Sequence, residues 1–211
     1  MTTSAVAATA ATASEAGTSG ANLATGNRES ADERDIYIAV LCEFSALGFR
    51  KASMSTLAEA AGVARQTLYN RFGNKEAVLD WSVTGLSSLL QEDALACLQA
   101  GTGKPAAEVL EDFFWALLGP VTLMLQNGRH AEEILGLSKA TLYKSQPDPL
   151  AGYGDGLSAF LLSHTSQSAR GRDAADTAFL LVMAAKGLMQ TCAGEIEFRS
   201  GIRRAIAGAG I

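Results

Sequence analysis

Between Ser53 and Lys75 the chain concentrates side chains that can read a base-pair edge and hold a phosphate. Arg65, Gln66, Thr67, Tyr69, Asn70 and Arg71 crowd one short stretch, interrupted only by Leu68. The amides of Gln66 and Asn70 suit the donor–acceptor pair of adenine, while the guanidinium groups of Arg65 and Arg71 suit guanine or a phosphate. Charge gathers in the same place. From Gly48 to Lys75 stand five cations, Arg50, Lys51, Arg65, Arg71 and Lys75, against one carboxylate, Glu59. From Trp81 onward the balance turns acidic, with 10 basic and 13 acidic residues, and the whole chain carries a formal charge of -5. A basic head on an acidic body suits a DNA-contacting module joined to a separate domain.

Such a face works only if a short helix presents it at a steep angle to a supporting one. The sequence predicts a supporting helix from about Met54 to Ala61 with Ser53 as its N-cap. Thr56, three residues before Glu59, offers a competing capping-box start. A presenting helix follows over roughly Arg65–Arg71. Ala58 and Ala61 are small enough for the closest approach, and Gly62 can take the positive φ that the tight turn needs. Val63 is expected to plug the space between the helices, with Leu57 and Leu68 as one apolar anchor on each and Phe72 closing the far end. Lys75 falls in the first turn of the next helix, where the dipole disfavours a cation. A phosphate would reverse that preference, because the ammonium and the exposed backbone N–H groups would bind it together.

The rest of the chain reads as helix as well. Alanine and leucine dominate, period-2 alternation is hard to find, and the composition of 48% hydrophobic and 18% charged residues is that of a soluble globular protein. Residues 1–29 are Ala, Thr, Ser and Gly with almost no large apolar side chain, a disordered tail that cannot offset its own ordering entropy. A helix beginning near Ser30 puts Ile36, Ala39, Val40, Phe44 and Leu47 on one face and stops at Gly48. These helices form a DNA-binding domain over 30–78. A helical regulatory and dimerisation domain occupies 79–211, starting with a helix from about Asn74 to Ala100, on the order of 40 Å long. Further helices are expected over Pro105–Leu118, Val121–Asn127, Ala131–Lys144, Pro149–Thr165, Arg172–Cys192 and Glu195–Ala207. Gly119–Pro120 should break or kink its segment.

The helix-turn-helix stretch resembles the tetracycline-repressor (TetR) family of regulators. The matching positions are Leu57-Ala58, Ala61-Gly62-Val63, Thr67-Leu68-Tyr69, Phe72 and Lys75-Glu76, preceded by a helix ending at Gly48-Phe49. The resemblance is specific over about Asp32–Leu90 and architectural beyond. It implies an all-α fold, with a three-helix helix-turn-helix domain joined to a larger helical bundle for ligand binding and dimerisation. It implies that the third helix reads bases and that Ser53, Tyr69 and Lys75 clamp phosphates, with Ser55 counted among the DNA-contacting positions. Two departures stand out: Ala64 replaces a common Ser or Thr cap, and Ser55-Thr56 replace a frequent charged pair.

The function expected is that of a sequence-specific DNA-binding regulator, a ligand-responsive repressor acting as a homodimer on double-stranded operator DNA. The alternative is a helical small-molecule- or protein-binding module without DNA activity. Ala178–Ala185 is apolar on every face of its helix and must be covered all round, by its own bundle and by a second subunit. The Gly-rich segment Ala151–Ala159 offers similar small surfaces. Phe113, Phe114, Trp115, Leu118, Leu125, Leu142, Tyr143 and Phe160 are candidates for an apolar effector pocket. Neither His130 nor His164 has metal-ligand neighbours at helical spacing, and no nucleophile elbow, P-loop or dinucleotide fingerprint occurs, so no enzyme, metal or cofactor is expected. Cys42, Cys97 and Cys192, with no C-x-x-C pair, are expected as buried free thiols. With no secretory signal and no apolar run long enough to span a bilayer, the protein is expected in the cytoplasm, away from membranes.

Overall fold

Ser53 shows how local chemistry starts an element. It is extended at φ -121° and its hydroxyl oxygen accepts from the Thr56 N–H at 3.2 Å, while the Thr56 hydroxyl accepts from the Ser53 N–H at 3.2 Å. This reciprocal pair satisfies two N–H groups that a helix start leaves without partners. The computed structural model describes residues 28–145, 152–164 and 173–211. Among them lie nine helices and no strand: α1 (Arg28–Leu47), α2 (Met54–Ala60), α3 (Arg65–Phe72), α4 (Lys75–Ala100), α5 (Ala106–Asn127), α6 (Ala131–Ser145), α7 (Gly154–His164), α8 (Ala174–Thr191) and α9 (Glu195–Ala209). The tail expected over 1–29 lies outside the described residues up to position 27.

Two apolar clusters organise the chain. Val40 and Phe44 of α1, Leu57 of α2, Leu68 of α3 and Val78 of α4 build the first. It does not stop at residue 78. It follows α4 to Leu90 and reaches Met124 of α5 and Ile134 of α6. The second cluster joins Phe113 and Phe114 of α5, Leu157 of α7, Ala178 of α8, and Phe198 and Ile202 of α9. Complete burial of a Phe or Leu side chain contributes about 1.5–3 kcal/mol, so each cluster can hold its own helices. Helix α4 serves both, with Val78 to Leu90 in one and Ala94 in the other.

Where α1 crosses α4, a glycine is required. A Cβ on Gly85 would lie 2.2 Å from the Tyr37 ring, which is buried and meets Trp81 edge-on at 4.8 Å. The C-terminal end of α1 is tied to the α5–α6 turn, where the His130 N–H donates to the Ser45 carbonyl at 2.8 Å. A Cβ on Gly128 would come within 2.6 Å of the Ser45 Cβ.

Several elements differ from expectation. The helices expected over Pro105–Leu118 and Val121–Asn127 are one, α5, with Pro120 inside it. Proline removes one N–H from the ladder. The segment stays helical because its neighbours hold it: the Trp115 ring packs against Gly119, where a Cβ would come within 2.6 Å of it, and Trp115 itself rests on Phe198 at 5.6 Å. Helix α7 begins at Gly154 rather than Pro149, after a turn with Gly152 at φ +87°; residues 149–151, 165 and 172 of the expected helices lie outside the described residues. The thiols are not buried as expected. Cys42 is exposed, and Cys97 and Cys192 are half-buried.

Candidate nucleic-acid interface

Helix α3 is amphipathic in an unusual proportion. Leu68 is buried, Phe72 is half-buried, and Arg65, Gln66, Thr67, Tyr69, Asn70 and Arg71 are all exposed. A single deep anchor suffices because Leu57 and Ala58 of α2 meet it from below. The turn before it closes with the Val63 N–H donating to the Ala58 carbonyl at 2.9 Å and with Gly62 at φ +67°. That hydrogen bond is backbone only. The Val63 side chain, expected as the plug between the helices, is instead 38% exposed; Ala58 and Ala61 let the helices approach too closely to admit a branched side chain. Ala64 stands at the N-cap of α3 without a side-chain hydrogen bond.

On the exposed face the Gln66 amide donates to the Asn70 carbonyl oxygen at 2.8 Å. The pair forms a preset strip of amide chemistry one helical turn long, with the Gln66 oxygen left to accept and the Asn70 NH₂ left to donate. Tyr69 is 46% exposed. Arg71 lies toward α4, its guanidinium carbon 5.1 Å from the Phe72 centroid and 5.2 Å from that of Trp81. The two rings are themselves 4.8 Å apart, so Arg71 is stacked beside the reading face. Ser53 caps α2 with an oxygen lone pair, which leaves its hydroxyl proton able to donate. Ser55 is exposed on the same helix.

Lys75 departs most from the sequence reading. Its ammonium donates to the carbonyls of Phe49 at 2.6 Å, Arg50 at 3.1 Å and Ala52 at 3.2 Å. It also lies 4.8 Å over the Phe49 ring. The three protons of an ammonium thus meet three carbonyls of the α1–α2 connection. A cation in the first turn of α4, unfavourable to that helix dipole, has a reason within the fold.

Residues 41–80, from the middle of α1 into α4, match the family described as bacterial regulatory proteins, tetR family. The chain carries a tetR-family DNA-binding head. No curated protein matches the chain at significance. Among solved structures, a transcriptional regulator from a Rhodococcus species is similar, at 19% identity and a TM-score of 0.59, covering 84% of this chain and 94% of that one. So is PfmR, a TetR family transcriptional regulator from Thermus thermophilus, at 18% identity and a TM-score of 0.51, covering 80% and 97%. At such identities the likeness is one of fold, and it extends through the body as well as the tetR-type head.

Behind that head lies a cavity of about 430 Å³ between α4, α5, α6 and α8. Leu41 of α1 forms part of its wall, so the tetR-type head and the cavity share a helix. Of the residues expected at a pocket, Leu118, Leu142 and Tyr143 line it. Phe113 and Phe114 do not; they are fully buried in the second cluster, edge to face at 5.0 Å. Trp115 is committed to Phe198. Phe160 stacks on His164 at 4.1 Å and borders a separate hollow beside α4 and α7. The side chain of Leu125 lies outside the described residues. Sequence reasoning picked out the aromatic cluster, and aromatic side chains fill space so well that they closed it. Lys139, Lys186 and Gln91, which do line the cavity, carry no signal along the sequence that separates them from surface residues.

Among the described residues no group of three or more His, Cys, Asp or Glu side chains is placed to hold a metal. None of the described helices is long and apolar enough to cross a membrane.

Proposed function

We propose that this protein is a sequence-specific transcriptional repressor that binds operator DNA as a homodimer and releases it when a small, largely apolar effector enters the cavity. The observation that carries the DNA half is α3 itself: a helix with one deeply buried anchor and six exposed polar or amphipathic side chains. A surface helix with that little apolar coverage is suited to an external polar partner, and its basic surroundings favour a polyanion. Arg65, Gln66, Thr67 and Asn70 read bases in this proposal. Ser53, Ser55, Tyr69 and Arg71 hold the backbone, while Lys75 supports that contact by ordering the loop before α2. The protein acts in the cytoplasm, where its operator is.

The homodimer is supported by apolar surface left over on late helices. Helix α8 buries Ala178, Leu181, Val182 and Ala185 inside its own chain, yet Phe179 and Leu180 are 44% and 50% exposed, and Leu162 of α7 is 69% exposed. Two reading helices about 34 Å apart would match two half-sites one DNA turn apart. The effector half is supported by Leu41. A molecule filling the cavity touches the helix that carries the head, and so can prefer one head spacing over another.

Selection of bound duplexes from a random pool tests the reading directly. The expected result is a two-fold site whose retention falls steeply with salt. Weak retention with no recovered motif would favour the alternative, a helical binding module without DNA activity. Sedimentation of Leu180→Glu tests the dimer: the variant should run as a monomer at concentrations where the parent is dimeric.

A further inference from the structure

We infer that the cavity selects a monoanionic amphiphile, with an apolar chain in its closed end and a carboxylate-type head at Lys139 and Lys186. This rests on the effector reading above and specifies its ligand class. Polarity along the walls is segregated. Leu41, Val83, Leu90, Leu117 and Met124 line the cavity and are all buried. Lys139, Tyr143, Phe179 and Gln190 line it too, and all are exposed. One end is therefore apolar and closed, and the other is open to water.

The charged side chains of the lining are both cations, on facing walls. Lys139 belongs to α6 and Lys186 to α8. No Asp or Glu lines the cavity, in a chain with 22 acidic and 17 basic residues overall. Helical spacing reinforces the arrangement: Tyr143 stands four residues after Lys139 and Gln190 four after Lys186, each on the same side of its helix as its lysine. An ammonium on each wall with hydroxyl and amide donors beside it is chemistry for an anion. A neutral hydrocarbon would leave these groups unused, and a cationic head would meet two like charges. The volume of about 430 Å³ lies in the range of small-molecule sites and suits a single chain.

The test is calorimetric titration of the full chain with straight-chain carboxylates, the alcohols of equal length and the alkyltrimethylammonium ions, all below micelle-forming concentrations. Carboxylates should bind at least ~10-fold more tightly than the matching alcohols, and the ammonium ions most weakly. In Lys139→Gln, an exposed position whose melting temperature should not change, the carboxylate should lose most of that advantage while the alcohol is unaffected. Lys139→Arg should restore it. If alcohol and carboxylate bind equally, or if the ammonium ion wins, the head recognition proposed here is wrong and the effector cavity stands. If no member of any series binds, the cavity reading itself fails.

Discussion

Lys75 and Phe49 meet twice: the ammonium donates to the Phe49 carbonyl at 2.6 Å and lies 4.8 Å over the same residue's ring. One side chain, from the first turn of α4, thereby fastens the end of the α1–α2 connection, and with it the N-cap Ser53 that starts α2. Hydrogen bonds to a charged group contribute about 1.5–3 kcal/mol. Lys75→Met should therefore lower stability by about 2 kcal/mol and weaken all operators together, read by thermal melting alongside mobility shift. Unchanged melting with a uniform loss of affinity would instead make Lys75 a phosphate contact.

Gln66 and Asn70 should behave differently from Tyr69. The amide pair presents one acceptor and one donor to a groove, so Gln66→Ala should relax preference at one base position by about 1–3 kcal/mol. Tyr69→Ala should reduce affinity for every operator to a similar degree. Parallel mobility-shift series on single-base operator variants separate the two. A Gln66→Ala variant with an unaltered preference profile would remove that residue from base reading.

Two glycines should respond to alanine with opposite signs. At Gly85 the new methyl would meet the Tyr37 ring, which is held against Trp81 and cannot withdraw freely. Overpacking of that kind costs about 1–3 kcal/mol. At Gly136 of α6 nothing lies within 4 Å of the added carbon, so relief of glycine's backbone entropy should stabilise the helix by up to about 1 kcal/mol. Denaturant midpoints of the two variants would show whether α1 and α4 are packed this closely.

Burial pushes the Cys42 and Cys97 thiols above their ordinary range, and for Cys97 the carboxylates of Asp112 and Asp93 add to the effect. A raised pKa means less thiolate at any pH below it, and thiolate is the reactive form. Both residues should alkylate slowly with iodoacetamide at pH 7 and speed up only as pH passes the usual thiol value of about 8.5. Mapping of labelled peptides reads each site separately. Rapid labelling of the intact protein at pH 7 would reopen a redox role for these residues.

The parts legible in the sequence share a physical property: they are decided by close neighbours along the chain. Ser53 and Thr56 cap a helix across three residues, Gly62 supplies the positive φ that its turn requires, and the run from Arg65 to Arg71 with Leu68 as its deep anchor is set by a helical period. Pro120 was misleading for the converse reason. Its local effect is to break a helix, but Trp115 and Phe198, the latter far along the chain, hold the segment straight through it.

By itself, then, the sequence determined that the chain is helical, where its reading helix lies and which chemistry that helix offers. The tertiary structure alone decided that Val63 faces outward, that the ammonium of Lys75 closes on carbonyls 23 to 26 residues away, and that the cavity lies beside Leu41 rather than among Phe113 and Phe114. Periodicity states that a helix has an apolar face. Only the packing of all the helices together, under the demand that apolar surface be covered and space be filled, settles what each face meets and where a void is left.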